Sequence, residues 1–199
     1  PTALNRAATR SLSGTIAGRL GFDGSRLSFP ELTVDTPEGR LALTGSIDLL
    51  ADVMTVEARG RLDIDVARAG RLVSAPDMSL SGSARVQFEV AGSATDPVVR
   101  VEATARNLGY RSIAGASLSG AATYGAGRLD IASLDVASSL GAVHANGALT
   151  LVSTTASPAT SQIRGRIADV HLDSLIDAAG IALPARLGAS ASGEVDVTL

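Results

Sequence analysis

The chain of 199 residues contains no cysteine and no tryptophan, and aromatic residues make up only 3% of it. The absence of cysteine excludes disulfide bonds and thiolate chemistry, and it leaves the redox compartment open. The 17 basic residues are interleaved with 20 acidic ones rather than clustered. A nucleic-acid surface would need a basic stripe with stacking aromatics, so we expect no nucleic-acid partner.

Long apolar runs are also missing. No run approaches the ~20 residues of a membrane-spanning helix, and no basic segment followed by an apolar one suggests a signal peptide. The chain starts at Pro1 rather than at methionine. We therefore expect a processed or excised piece of a longer protein, whose anchor or targeting segment would lie outside these residues.

What the chain does contain is strict alternation of apolar and polar residues in short runs. In the segment 56–66 every even position is apolar or glycine, and every odd position is charged. Such alternation is typical of β-strands with one apolar face and one wet face. It predicts strands over 11–20, 26–34, 40–50, 53–64, 80–91, 97–106, 115–124, 127–136, 141–151, 161–169 and 187–199. Because the connections are short and rich in Gly, Asp, Ser and Pro, neighbouring strands should run antiparallel.

Two segments depart from this period. Residues 65–73 and 171–179 place apolar residues three and four positions apart, which predicts one or two helical turns in each. These helices either cover part of the apolar face or cap a core, and the sequence does not separate the two roles. Residues 1–10 show no clear period and are left unassigned.

The sequence also repeats itself. Residues 27–49 align without a gap on 129–151, and Arg59-Gly60-Arg61-Leu62 matches Arg164-Gly165-Arg166-Ile167. Two shorter matches pair Ser81-Gly82 with Ser192-Gly193 and Leu12-Ser13-Gly14 with Leu118-Ser119-Gly120. They predict a unit of about 105 residues, with a first repeat over 11–115 and a truncated second repeat over 116–199, and they suggest that the natural protein continues.

Enzyme chemistry has little support in these residues. His144 falls on the polar side of its strand and His171 at the start of a predicted helix, so we expect solvated or structural roles for both. Asp63 and Asp65 share a strand face with arginines and fit a solvated charge ladder better than a catalytic pair. Gly125 and Gly127 form a hairpin turn rather than a phosphate loop. We expect no enzyme, no metal and no cofactor.

The remaining candidate is the apolar face itself. Alternation assigns to it Leu43, Ile47, Leu62, Ile64, Val86, Phe88, Val90, Val99, Val101, Leu129, Ile131, Val143 and Leu149, together with Leu41, Leu49 and Leu151. These residues either pack as the filled core of a β-sandwich or line an open surface, because alternation does not report whether the face is covered. Phe88 would be a rare bulky side chain among Ala, Val, Leu and Ile.

The order of motifs resembles the AsmA-like family, and within it the TamB branch. The residues that carry this resemblance are the Gly92-Ser-x-x-Asp-Pro97 turn between two strands, the following Leu118-Ser119-Gly120, the paired hairpins, and a short helix before the next strand of that kind. The resemblance implies a mainly β fold, an elongated and curved antiparallel sheet folded into a U-shaped, taco-like groove.

The same resemblance implies a function. Members of the family are anchored in the inner membrane of Gram-negative bacteria, extend through the periplasm, and are implicated in phospholipid transfer and outer-membrane protein assembly. It implies that the apolar residues above line a groove for phospholipid acyl chains, with an outer-membrane barrel protein as a further partner. An alternative is an assembly scaffold that pairs client strands through exposed sheet edges. A secreted β-solenoid or adhesin would instead need a filled core and shorter repeats.

Overall fold

A computed structural model of the chain describes residues 13–50, 52–73, 80–110, 113–151, 161–171 and 188–198. Within these residues it contains eleven strands and one helix, which agrees with the mainly β prediction. The elements are β1 (Thr15–Phe22), β2 (Arg26–Thr36), β3 (Gly39–Asp48), β4 (Thr55–Asp65), α1 (Val66–Val73), β5 (Leu80–Ser93), β6 (Asp96–Tyr110), β7 (Ile113–Gly125), β8 (Arg128–Ser138), β9 (Gly141–Thr150), β10 (Gln162–His171) and β11 (Ser190–Thr198).

All eleven strands belong to one sheet, and their order in space is their order in sequence. Every neighbouring pair is antiparallel, as the short connections predicted. The sheet is open, because β1 and β11 each have a single neighbour among the described strands. The two strands β5 and β6, at the centre of the sheet, are also its longest, with 14 and 15 residues.

The hairpin turns contain the Asp and Gly residues that the sequence places between the predicted strands. In the β1–β2 turn, Asp23 Oδ1 accepts hydrogen bonds from the backbone N–H groups of Arg26 and Ser25, at 2.8 and 3.1 Å. These bonds, that of Arg26 foremost, lower the pKa of the Asp23 carboxyl because they favour its charged form. The β7–β8 turn has two central residues with positive φ, Ala126 at 49° and Gly127 at 72°. This backbone is typical of a type I′ hairpin, whose twist suits antiparallel strands.

A bulge in β2 adjusts the phase of its alternation. Opposite β3, Phe29 faces Gly45 and Leu32 faces Leu43, so Pro30 and Glu31 together add one extra residue to β2. Proline fits such a position because it cannot donate to the hydrogen-bond ladder. The bulge moves the apolar positions of β2 from odd to even numbers, and side chains on both sides of it therefore stay on one face.

The predicted helix at 65–73 is confirmed as α1, at the end of the sheet where β4 leads into β5. Asp65 caps it, since its Oδ1 accepts the backbone N–H of Arg68 at 3.1 Å. Gly70 lets the helix approach the sheet, because a Cβ there would lie 2.5 Å from Leu80 Cδ1. Among the described residues no helix is long and apolar enough to cross a membrane. The second predicted helix, apart from His171, lies outside the described residues.

Candidate functional site

The cross-strand register joins the apolar side chains into continuous rows. One row crosses the sheet from β3 to β11 and consists of Leu41, Leu62, Val86, Ala103, Gly120, Leu134, Ala145, Gly165 and Val195. The row beside it lies two residues along each strand, or three along β8, and consists of Leu43, Gly60, Phe88, Val101, Ala122, Ile131, Gly147, Ile163 and Val197. Directly opposed residues share a face of the sheet, so one face is apolar from β3 to β11.

The thirteen residues predicted to line a groove all lie on this apolar face. Twelve of them are partly buried and Val143 is exposed: the partly buried residues are Leu43, Ile47, Leu62, Ile64, Val86, Phe88, Val90, Val99, Val101, Leu129, Ile131 and Leu149. Leu41 lies there as well, whereas Leu49 and Leu151 follow the last residues of β3 and β9 and are exposed.

The apolar face is not the inside of a filled sandwich in the described part of the chain. The strands there form one sheet, and no side chain among them is completely buried. No second sheet lies against the apolar side within the part of the chain that the structure describes.

Several residues of the apolar face were missed by simple alternation. Leu134 and Val136 have even numbers, although Leu129 and Ile131 on the same strand have odd ones. The cause is a bulge in β8 between Ile131 and Leu134, which shifts the phase by one residue. Within β8 the apolar positions change from odd to even residue numbers, and this change in the sequence could have identified Leu134 and Val136.

A bulky aromatic side chain of the apolar face leans across a glycine. Phe88 on β5 is directly opposite Gly60 on β4, and a Cβ at Gly60 would lie 2.6 Å from Phe88 Cε1. The outer edge of the ring therefore occupies the space where a side chain at Gly60 would be. Phe29 has the same relationship to Gly45, whose Cβ would lie 2.8 Å from Phe29 Cε2. Glycine thus accommodates two of the three phenylalanines.

The opposite face carries cross-strand ion pairs. Their charged atoms lie 2.6 to 3.4 Å apart, in the pairs Asp35–Arg40, Arg59–Glu89, Asp63–Arg85, Arg164–Asp196 and Arg166–Glu194. All of these side chains are substantially exposed, so each pair contributes only about 0.2 to 1 kcal/mol. This face is therefore adapted to water, and the asymmetry between the two faces follows the alternation of the sequence.

Asp63 belongs to this charged face rather than to a catalytic pair. Its carboxylate accepts hydrogen bonds from Arg85 Nε at 2.6 Å and Arg61 Nε at 2.9 Å. These bonds, that of Arg85 first, lower the pKa of the Asp63 carboxyl. A general acid would need a raised pKa. Asp65 instead caps α1 and lies 3.4 Å from Arg68 Nε.

The two histidines occupy different settings. His144 is exposed on the polar face, as predicted, and its Nδ1 contacts Asp135 Oδ1 on the neighbouring strand. His171 does not start a helix as predicted, because it is the last residue of β10 and pairs with Ser190, but its side chain is exposed. Its Nδ1 contacts the carbonyl oxygen of Asp169 at 2.8 Å. Within the described residues no group of three His, Asp or Glu side chains could hold a metal ion.

Gly125 and Gly127 lie at the β7–β8 hairpin, as expected for a turn.

The candidate functional site of the described residues is the apolar face of the sheet. The chain was compared with protein-family models, curated proteins and solved structures, and it matches none of them.

Proposed function

We propose that this chain is part of a periplasmic bridge of the AsmA-like family, TamB branch, that carries phospholipid from the inner to the outer membrane of a Gram-negative bacterium. Acyl chains would lie on the apolar face, and headgroups would stay at its solvated margin. The sheet would curve into a U-shaped groove around them. An anchor outside these residues would hold the protein in the inner membrane. The chain would act as a conduit without enzymatic activity or a cofactor.

The observation that carries this proposal is the uncovered apolar face. Its two cross-strand rows run from β3 to β11 and contain no charged side chain. Burial of a CH₂ group contributes about 0.8 kcal/mol wherever it lies on such a face. A surface of Ala, Val, Leu, Ile and Gly therefore favours acyl chains without fixing them at one place, which suits movement along the sheet.

Matching hairpins support the ~105-residue repeat that this family resemblance involves. In the β2–β3 hairpin, Phe29 faces Gly45 and Leu32 faces Leu43. In the β8–β9 hairpin, the residues 102 positions later pair in the same way: Ile131 faces Gly147 and Leu134 faces Ala145. The bulge thus falls at the same place in the β2–β3 and β8–β9 hairpins. The two hairpins also close alike, with Leu49 N–H donating to Ser25 O and Leu151 N–H to Gly127 O, both at 2.8 Å.

Two of the shorter sequence matches do not coincide with the register. In the Arg-Gly-Arg match, Ile167 is the counterpart of Leu62. Gly193 is opposite Ile167 and Val86 is opposite Leu62, so Gly193 corresponds to Val86. Ser192-Gly193 therefore does not correspond to Ser81-Gly82. Likewise Gly120 faces Leu134 as Gly18 faces Leu32. The counterpart of Leu118-Ser119-Gly120 is therefore Ile16-Ala17-Gly18 rather than Leu12-Ser13-Gly14.

Native mass spectrometry of the purified chain tests the proposal. We expect phospholipid to copurify with the native sequence and to be lost from Val86→Asp, which places a charge on the apolar face. Gln87→Asp is the matched control, because Gln87 is the next residue on β5 and lies on the opposite face. Circular dichroism confirms that both variants fold. A folded Val86→Asp variant that retains as much phospholipid as Gln87→Asp would contradict the conduit.

Photo-crosslinking locates the lipid directly. A benzoylphenylalanine at Leu62 or Val101 should capture phospholipid in cells, whereas the same group at Arg61 or Glu102, on the polar face, should not. Equal capture from both faces would show that lipid association is not specific to the apolar side.

The edge of the sheet favours a second candidate, an assembly scaffold for outer-membrane proteins. Every residue of β11 is exposed, and β11 pairs only with β10 among the described strands. An extended client strand could add to such an edge through backbone hydrogen bonds. Client capture would then be lost on Val197→Pro and retained on Val86→Asp, which is the reverse of the result expected for the conduit.

A further inference from the structure

A cavity lies on the polar face of the sheet, at the end where β4 leads into α1. It has a volume of about 560 Å³ and is lined by residues from the adjoining ends of β2 to β6, among them Asp63, Ser83, Thr104 and Arg106. A space of this size is typical of binding sites for small molecules. Its charged and hydroxyl side chains belong to the polar face, so the cavity is separate from the apolar face.

The carboxylates that line this cavity are each paired with an arginine. The nitrogen-to-oxygen distances are 2.6 to 3.4 Å, in the pairs Asp35–Arg40, Asp63–Arg85 and Asp65–Arg68. Arg106 lines the cavity as well, but its side chain forms no ion pair or hydrogen bond with another described residue. The cavity therefore contains one guanidinium whose charge no described acid matches.

Two hydroxyl groups lie beside Arg106. Ser83 on β5 is its direct cross-strand neighbour, and Thr104 is two residues before it on β6 and on the same face. Both line the same cavity, and neither side chain forms a hydrogen bond with another described residue. One guanidinium and two hydroxyls, all with unused donors, thus border a single space.

The backbone beside Arg106 departs from regular strand pairing. The register between β5 and β6 shifts next to Ser83, because β6 has one extra residue there. Asn107, within this bulge, has a φ of 53°, which asparagine adopts more readily than most residues. Gly82 has no room for a side chain, since a Cβ would lie 2.8 Å from the carbonyl oxygens of Arg106 and Asn107. Bulges of this kind redirect side chains and are frequent next to functional sites.

We propose that this cavity binds a phosphate group, held by Arg106, Ser83 and Thr104. A guanidinium donates two parallel hydrogen bonds to phosphate oxygens, and the hydroxyls donate to the oxygens that remain. A tetrahedral phosphate presents oxygens to all three residues, whereas a carboxylate has only two oxygens. The group belongs either to a soluble phosphate ester or to a phospholipid headgroup, which offer these residues the same chemistry. The proposal holds whether or not the chain transfers lipid.

Strand β6 provides a matched control in Arg100. This residue lies on the same face as Arg106, is exposed, and likewise has no ion pair with another described residue. It does not line the cavity, and its cross-strand neighbours are Glu89 and Thr123. Neutralising Arg100 therefore removes the same charge from the same strand and leaves the cavity intact.

Titration with inorganic phosphate at constant ionic strength, followed by NMR of the ¹⁵N-labelled 199-residue chain, tests the site. We expect saturable shifts of the amide signals of Ser83, Thr104 and Arg106. Arg106→Gln should weaken binding about tenfold or more, because it removes the charge-assisted hydrogen bonds. Ser83→Ala should weaken it about three- to tenfold, and Arg100→Gln should leave it unchanged. If Arg106→Gln does not fold, Ser83→Ala and Thr104→Val decide the question.

Two further measurements identify the source of the phosphate group. If it is a lipid headgroup, Arg106→Gln should float with vesicles of phosphatidylglycerol less than Arg100→Gln does. If it is a soluble ester, the two variants should float equally, and glycerol 3-phosphate should bind the native chain but not Arg106→Gln.

The absence of saturable shifts at Ser83, Thr104 and Arg106 in the native chain would overturn the proposal. Equal weakening by Arg106→Gln and Arg100→Gln would also overturn it, because it would indicate a general response to positive charge. A native chain that copurifies with no phospholipid but shows the saturable phosphate shifts would count against the conduit and leave the phosphate site standing.

Discussion

The ring of Phe88 reaches across the β4–β5 pair and rests over Gly60, its direct cross-strand neighbour. The alternation of the sequence placed Phe88 on the apolar face but could not say that its ring leans sideways there. Because Gly60 has no side chain, the largest residue at the centre of the face fills a gap in it. Phe88 therefore completes the surface of the sheet at this point.

Replacing Gly60 by alanine should destabilise the sheet. The new Cβ would collide with the Phe88 ring and force it out of position, at a cost of about 1 to 3 kcal/mol. Gly165→Ala is the matched control, because a Cβ there meets no atom closer than 3.6 Å. Urea unfolding should show a lower midpoint for Gly60→Ala and little change for Gly165→Ala. A Gly60→Ala, Phe88→Val double variant should recover part of the loss, and equal midpoints for the two single variants would refute the packing argument.

Neutralising Asp63 should reduce stability only where its carboxylate is charged. Its hydrogen bonds from Arg85 and Arg61 lower its pKa below the ordinary value of 3.8. The contribution is therefore fully present above 3.8 and is lost as the pH falls through the lower pKa of the folded state. Since the group is exposed, Asp63→Asn should cost up to about 1 kcal/mol near pH 7.

Urea unfolding at several pH values measures this effect. The difference between native and Asp63→Asn proteins should shrink as the pH is lowered below 3.8. Glu102→Gln serves as a control on the same face, because Glu102 has no ion pair with another described residue, and it should leave the midpoint near pH 7 unchanged. A difference that persists in acid would mean that Asp63 acts through packing rather than through its charge.

Removing the cap of α1 should loosen that helix. Asp65→Ala deletes the acceptor for the Arg68 backbone N–H, which costs about 0.5 to 2 kcal/mol. Asp65→Asn keeps a side-chain oxygen at the same place and should retain most of the stability. Hydrogen exchange of the α1 amides should become faster in the alanine variant than in the asparagine variant. Identical exchange in the two would show that the cap does not hold the helix.

A substitution at Ala126 in the β7–β8 turn should make the protein more stable. Ala126 has a φ of 49°, where an L-residue with a Cβ is strained and where asparagine is tolerated better. Ala126→Asn creates the Asn-Gly pair preferred in type I′ hairpins and should raise stability by about 0.5 to 1 kcal/mol. Ala126→Val should lower it, because branching at Cβ increases the strain. Thermal melting of the native chain and the two variants should give the highest melting temperature for Ala126→Asn and the lowest for Ala126→Val. A valine variant more stable than the native chain would contradict this account of the turn.

The existence and order of most strands could be predicted because most of the connections are too short for a crossover to a distant strand. The stretch 82–101 illustrates this, since its alternation and the turn at Ala94-Thr95 specify two antiparallel strands without any distant contact. Face assignments were also correct wherever the period of two was unbroken. They failed at Leu134 and Val136, because a bulge changes the phase and its place depends on the partner strand.

Other features depended on register, which the sequence does not display. The packing of Phe88 over Gly60 and the contact of His144 with Asp135 each need one strand aligned on another to the residue. The strand position of His171 also escaped prediction, because its neighbourhood has the spacing of a helix. Whether the apolar face was covered could not be read from alternation, since packed and open faces have the same pattern.

The order of the strands has a consequence for how the chain unfolds. Among the described residues each strand is hydrogen-bonded only to the strands before and after it in sequence, so every pair joins strands that are neighbours along the chain. Stability then accumulates pair by pair, as in a one-dimensional array, and it is weakest at the ends. Fraying should begin at β1 and β11 and reach the long β5–β6 pair last, which makes the centre of the sheet its slowest region to exchange backbone hydrogens.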